Sequence, residues 1–272
     1  MNKMELLAYC VLILYGILTI FPLYWLFLTS IKNQREILAY PPIFFTSLNL
    51  SNYIELFVGV KESFAKFLTN SIIVGIISNI IVTGFGLLAA YAFVRYEFRA
   101  KGSLLHWILT IRMAPPIFFL IPMYIMYRTL GLHDTLVGLI LMYIGINLPL
   151  AIWMLRGFLA SIAKDIIEAA QLDGCSDLKI LMKILLPMIM PGVSVVFILC
   201  LLFTWNEFLY AYILTGVEAK TAVVAIYRYL SFQEIHYGCL AAAGIIVSIP
   251  LIMLAIFTRK YMIKAMTLGI VR

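Results

Sequence analysis

At 272 residues with 64% hydrophobic and only 12% charged residues, the chain is far too apolar for an ordinary soluble domain, whose apolar share is roughly half, and its main solvent is membrane lipid. The net charge of +7 does not point to nucleic acid, because the basic residues are scattered among apolar runs, where they fix membrane orientation. Four cysteines, Cys10, Cys175, Cys200 and Cys239, lie in or beside apolar segments without pair spacing, so they are read as small packing residues with no disulfide or metal role.

The first apolar run, 6–31, carries no charge and exceeds the roughly 20 residues that cross the hydrocarbon. It is too long for the apolar region of a signal peptide and lacks a small-x-small cleavage site, so a retained helix is expected. The stretch 32–66 is mixed and turn-rich, with Pro41-Pro42 and Asn49-Leu50-Ser51-Asn52-Tyr53. Residues 1–66 are therefore read as one membrane helix plus an extracytoplasmic segment, and 67–272 as the core domain. The second span, 67–94, places Ser71 and Gly75 one turn apart, which allows another helix close approach. Arg95, Arg99 and Lys101 follow and pin this end to the cytoplasm.

The third span, 103–127, contains Arg112 together with Pro115, Pro116 and Pro122, so a kinked or locally broken helix is expected. Arg112 either snorkels to the nearby inner surface or lines a cavity. The fourth span, 135–155, carries Asn147 and Pro149; the fifth, 188–214, contains the one embedded acidic residue, Glu207. The sixth, 237–258, ends at Arg259-Lys260. An all-α polytopic membrane protein with six transmembrane helices is thus the expected fold class, with both termini on one side. Placing the N-terminus inside makes the inner segments, from Lys3 to Arg272, more basic than the outer ones, which include Lys61; this is the asymmetry that sets topology.

The stretch 162–191 is the longest polar interruption in the second half of the chain. Asp165, Glu168, Ala169 and Ala170 suit the early turns of a short helix, and Gly174 permits the left-handed residue that would end it. A second amphipathic piece is expected to set Leu178, Leu181, Met182 and Leu185 on one side and Lys179 and Lys183 on another. Pro187 and Pro191 would then bend the chain into the next apolar run. The result is a compact knob at the membrane surface, shaped to fit a groove in another protein. By the charge asymmetry it faces the cytoplasm.

Enzymatic chemistry finds little support. No Gly-x-x-x-x-Gly-Lys-Ser/Thr phosphate loop occurs, so an ATP-driven process would need an ATPase on another polypeptide. His106, His133 and His236 have separations that suit no metal site.

Glu168-Ala169-Ala170, then Asp173-Gly174 and, further on, Pro187, resembles the EAA loop of ATP-binding-cassette importer membrane subunits. Trp153-Met154-Leu155-Arg156-Gly157-Phe158 before it and Trp205-Asn206-Glu207-Phe208-Leu209 after it are similar to the carbohydrate branch, in particular the smaller permease of maltose-type systems. The likeness runs from about Asn70 to the C-terminus and, more weakly, over the first segment. It departs at Cys175, where the family usually has alanine.

This resemblance implies a type I importer permease fold, with the EAA loop at 156–187. It implies half of a heterodimeric pore, with a second permease subunit, a pair of ATPase subunits, and an extracytoplasmic solute-binding protein that delivers a sugar. The setting would be a prokaryotic cell membrane with both termini cytoplasmic. No cofactor would be bound by this chain; ATP and Mg would be used by the ATPase. Glu168, Ala169, Ala170, Asp173, Gly174 and Pro187 would form the ATPase-docking element, with Glu168 near a basic partner.

Polar groups at membrane depth tend to face a cavity or another helix, which makes Asn147, Asn206, Glu207 and Ser248 candidates for the substrate path. Sugar recognition adds aromatic faces, bringing in Tyr143, Trp205 and Tyr210. Helix-to-helix hydrogen bonding without ligand contact is an equal reading for Asn206 and Glu207 and the preferred one for the other residues. A secondary transporter or channel, a membrane enzyme, and an importer of a polyol or other non-sugar solute are the alternatives.

Overall fold

The computed structural model describes residues 3–58, 63–230 and 235–268; Lys61 and Arg272, part of the charge asymmetry, lie outside the described residues. In chain order, α1 (Lys3–Ser30) leads through two short helices, α2 (Gln34–Ile37) and α3 (Ser51–Val58), into the long α4 (Phe64–Arg95). Next, α5 (Lys101–Met113) and α6 (Leu120–Thr129) meet at a 90° bend around a 3-10 turn at Pro116–Phe119. After α7 (Leu136–Ala160) and α8 (Lys164–Leu172), α9 (Asp177–Ile180) continues through a π turn at Leu181–Leu185 into α10 (Leu186–Trp205). Short α11 (Leu209–Leu214) and α12 (Ala222–Ala225), then a 3-10 turn at Ile226–Tyr229, precede α13 (Tyr237–Leu268). Among the described residues, five helices are long and apolar enough to cross a membrane, or six when the bent pair is counted as one broken span.

The chain divides into two compact units. The first comprises Met1–Leu68 and Val224–Pro250. Within it α1 exposes apolar side chains on every side until its last turns, as a helix solvated by hydrocarbon does. Its C-terminal carbonyls are not left open: Asn52 Nδ2 on α3 donates to Ser30 O (2.9 Å) and Lys32 O (2.8 Å). Lys32 is buried, with its ammonium on Ile43 O and 4.7 Å above the Trp25 ring. The start of α13 packs here because Gly238 leaves room for Asn52; a Cβ would lie 2.4 Å from Asn52 Oδ1.

The second unit, Thr69–Val223 and Leu251–Arg272, holds the core that joins α4, α7 and α10. Gly75 on α4 admits Leu201 of α10, since a Cβ there would lie 3.1 Å from Leu201 Cδ1, so the expected close approach is present at Gly75; Ser71 Oγ instead accepts from Ala222 N at 2.8 Å. The third span is broken where its prolines cluster. Ala114, before Pro115, is extended (φ −69°, ψ 132°), the conformation that the proline ring imposes on its predecessor.

The fifth span differs from the expected 188–214. Its helix runs continuously from Asp177 to Trp205. Pro187 and Pro191 do not end this helix: a π turn lies just ahead of Pro187, a local change of register of the kind that lets a helix continue past a proline. The helix stops at Asn206, whose Nδ2 turns back to Leu202 O at 2.9 Å. The buried stripe on this segment is Ile180, Leu181, Leu185 and Ile189, so Leu178 and Met182 lie outside with Lys179 and Lys183.

Candidate functional site

The knob between α7 and α10 is built from α8, a tight stop and α9. Ile167 and Ala170 of α8 are buried in the core that includes Leu155 and Leu159 of α7 and Ile180 of α9. At the C-terminus of α8, Gly174 adopts φ +74°; its N–H donates to Gln171 O at 2.9 Å, and Cys175 N–H donates to Ala170 O at 3.0 Å. These paired bonds close the helix in a Schellman motif, and the apolar Cys175 packs against the core as the residue after the stop does in such motifs. Cysteine in place of alanine therefore keeps the small apolar contact.

Packing one face inward leaves the other outward. Asp165, Glu168, Ala169 and Leu172 share the exposed face at helical spacing, and Leu172 is 90% exposed. Leu172 thus stands as an exposed apolar side chain on the same helix face as two carboxylates, and Leu178 and Met182 further along the chain are exposed as well. Of the predicted docking residues, Glu168, Ala169, Asp173, Gly174 and Pro187 are exposed. Ala170 is not: it points into the core, and its role is to let α8 lie close against the unit.

Asp177, absent from the expected set, opens α9 and anchors the knob. Its Oδ1 accepts from Tyr91 OH (3.2 Å) and its Oδ2 from Tyr96 OH (2.5 Å), while Arg95 Nε lies 3.6 Å from Oδ1. The hydrogen bond to this carboxylate pushes the Tyr96 phenol above its ordinary pKa.

Several residues of the expected substrate path are assembled in the second unit, each with protein partners. Asn147 is buried, and its Nδ2 donates to Thr204 Oγ1 at 2.9 Å. Asn79 Nδ2 donates to the same oxygen at 3.2 Å and to Gly75 O at 2.6 Å. One hydroxyl on α10 thus links α4 and α7. Asn79, an amide in the middle of the uncharged second span, was the available signal for this contact; Thr204 gave none, since threonine is common in membrane helices.

Glu207 is not embedded in a helix. It sits in the break between α10 and α11, where Oε1 accepts from Tyr210 N (2.9 Å) and Oε2 from Ala211 N (3.0 Å) and from Tyr143 OH (3.1 Å). The carboxylate starts α11 by satisfying N–H groups that a helix N-terminus leaves open. Tyr143, Trp205 and Tyr210 are buried, and Asn206 is exposed. Ser248 belongs to the other unit and donates to Gly244 O of its own helix at 2.7 Å. Arg112 holds its guanidinium 4.8 Å over the Phe203 ring, with Nη1 buried.

Asp134 is a further residue that sequence patterning did not isolate. At φ +57°, it turns its carboxylate to accept from Val217 N (2.9 Å), Glu218 N (3.1 Å) and Ala219 N (2.9 Å). Burial pushes this carboxyl up, but the backbone N–H donors outweigh it and hold its pKa below the ordinary value. Asn70 Nδ2 grips the same loop through Glu218 O (2.8 Å) and Lys220 O (3.0 Å).

Comparison with known proteins places this geometry. Residues 82–268 match the family described as "Binding-protein-dependent transport system inner membrane component". A probable ABC transporter permease protein of Sinorhizobium fredii is 32% identical over 98% of this chain and 94% of its own length. A trehalose transport system permease protein of Mycobacterium tuberculosis is 34% identical, covering 92% of each. A solved bacterial ABC transporter involved in the import of the acidic polysaccharide alginate shares the fold at a TM-score of 0.76 and 21% identity, over 95% of this chain and 96% of that one.

Proposed function

The chain belongs to the binding-protein-dependent transport system inner membrane component family, and from that premise we propose that it forms half of a sugar-conducting pore coupled to ATP through its α8 knob. As a member of that family it is a multi-pass permease subunit of an ABC importer and not an enzyme; ATP hydrolysis belongs to a separate ATPase subunit. The full assembly contains a second permease, a pair of ATPase subunits that use ATP and Mg, and a solute-binding protein on the outer face. Both termini and the knob lie on the cytoplasmic side, as the basic inner segments require. The solute is a disaccharide or related sugar, a reading supported by the trehalose permease similarity.

The observation that carries the coupling role is the outward ridge of Asp165, Glu168, Ala169 and Leu172 on a helix whose opposite face is fixed in the core. Leu172 fills an apolar part of the ATPase groove and Glu168 meets a basic side chain at its edge. ATP-driven closure of the ATPase pair then turns the knob, and with it α4, α7 and α10. Glu207, Tyr143, Tyr210 and the Asn147 pair shape the wall of the path mainly by holding helix ends and crossings in place.

Glu168→Lys is the test. The side chain is exposed, so subunit stability should change by no more than about 0.5 kcal/mol. Losing a buried charge contact at the interface costs about 2–5 kcal/mol, and reversing the sign adds repulsion. The variant should insert normally yet fail to retain the ATPase or couple hydrolysis to uptake. Normal ATP-driven uptake by this variant would refute the docking role.

A further inference from the structure

The apolar contacts of Ile167 and Ala170 hold the knob against the core, but apolar contacts are non-directional and do not by themselves couple it to one particular helix. Among the described residues, a polar constellation at Asp177 ties it to the end of α4. Asp177, the first residue of α9, receives Tyr91 OH, Tyr96 OH and the Arg95 guanidinium, all from the last turn of α4 or the residue that follows it. Two phenol donors, one on each carboxylate oxygen, with a guanidinium beside Oδ1, fix its position as a single contact cannot. The Arg95 and Asp177 side chains are 32% and 39% exposed, so this ion pair contributes little to stability. Its geometry is therefore better suited to transmission than to holding the fold together.

We propose that Asp177 is a positioning residue that clasps the knob to α4, so that motion imposed on α8 by the ATPase is delivered to α4. From α4 the displacement passes through Asn79 to Thr204 on α10 and Asn147 on α7, since these share one buried hydrogen-bonded junction. The three helices then move as one body. This inference rests on the docking role of α8, and its test is arranged so that the two fail differently.

The experiment uses the complete assembly of both permeases, ATPase and binding protein in proteoliposomes. Three quantities are read: ATPase retained per permease, ATP hydrolysed, and trehalose moved per ATP. Asp177→Asn keeps the side-chain size while removing the charge. Retained ATPase should match wild type, whereas solute moved per ATP falls by about 2- to 30-fold, the range over which residues along a coupled network act. Tyr96→Phe should give a smaller fall, and the double variant should be no worse than Asp177→Asn alone, because both remove the same clasp. An unchanged ratio in Asp177→Asn overturns the clasp and leaves docking intact. Additive losses in the double variant, or loss of ATPase from Asp177→Asn, also overturn it, since they mark independent or merely structural roles. If the wild-type permease retains no ATPase, docking and clasp fail together.

Discussion

Thr204→Val isolates the junction of three helices, because valine matches threonine in shape and removes only the hydroxyl. Asn147 Nδ2 then loses its 2.9 Å acceptor, and at 1% exposure no water can replace it. Asn79 loses a weaker 3.2 Å bond and keeps Gly75 O at 2.6 Å, so most of the cost falls on Asn147. A buried donor left without a partner costs about 1–3 kcal/mol in general. Hydrogen bonds between membrane helices average about 0.6 kcal/mol with a maximum near 1.7. Together these place the loss near 1–2 kcal/mol. For a chain of this size that corresponds to a fall in Tm of about 2–8 °C. Thermal unfolding of the purified subunit in detergent reads it directly. Thr204→Ser should melt close to wild type, and Asn147→Leu combined with Thr204→Val should recover part of the loss by removing the stranded donor. A Val variant that melts with wild type would refute the view that this hydroxyl joins α4, α7 and α10.

Gly174→Val forces a β-branched residue into φ +74°, at a cost of about 1–2 kcal/mol, and opens the stop that separates α8 from α9. Proteolysis in the knob should rise and ATPase retention fall while the membrane core melts normally. Asp134→Asn replaces an oxygen that accepts backbone N–H groups with an amide that donates, so the loop at 216–219 should become accessible to hydrogen exchange. The same carboxylate gives a pH signature. Its folded pKa is depressed, so its stabilising effect is complete above the ordinary Asp value of about 3.9 and fades as pH falls through the lower folded value. Exchange in this loop should therefore accelerate only below about pH 4 in the native protein, and show no such step in Asp134→Asn.

The membrane spans were legible because uncharged runs of sufficient length admit one solution, a helix in lipid. Gly174 was legible for a related reason, since a stop between two short helices favours the residue that tolerates positive φ. The end of the fifth span was not. Leu209 to Leu214 is apolar and continues the hydropathy of α10, yet Glu207 ends one helix and starts another by accepting N–H groups at 210 and 211. Hydropathy counts the residues of a run and is blind to a side chain that satisfies backbone donors. Ala170 carries a similar lesson. Its place beside Glu168 and Ala169 in the sequence suggests a shared surface, but one residue along a helix turns the side chain by about 100°, and Ala170 faces the core. The Asp177 clasp lay beyond reach of sequence patterning because its partners are distant in the chain and individually ordinary.

Uptake by the reconstituted assembly tests the central claim most directly. Proteoliposomes carrying this permease, its partner permease and the ATPase, with binding protein and labelled trehalose outside, should accumulate sugar only when ATP is enclosed and hydrolysed. Accumulation at the same rate without nucleotide hydrolysis, or driven by an ion gradient alone, would contradict it.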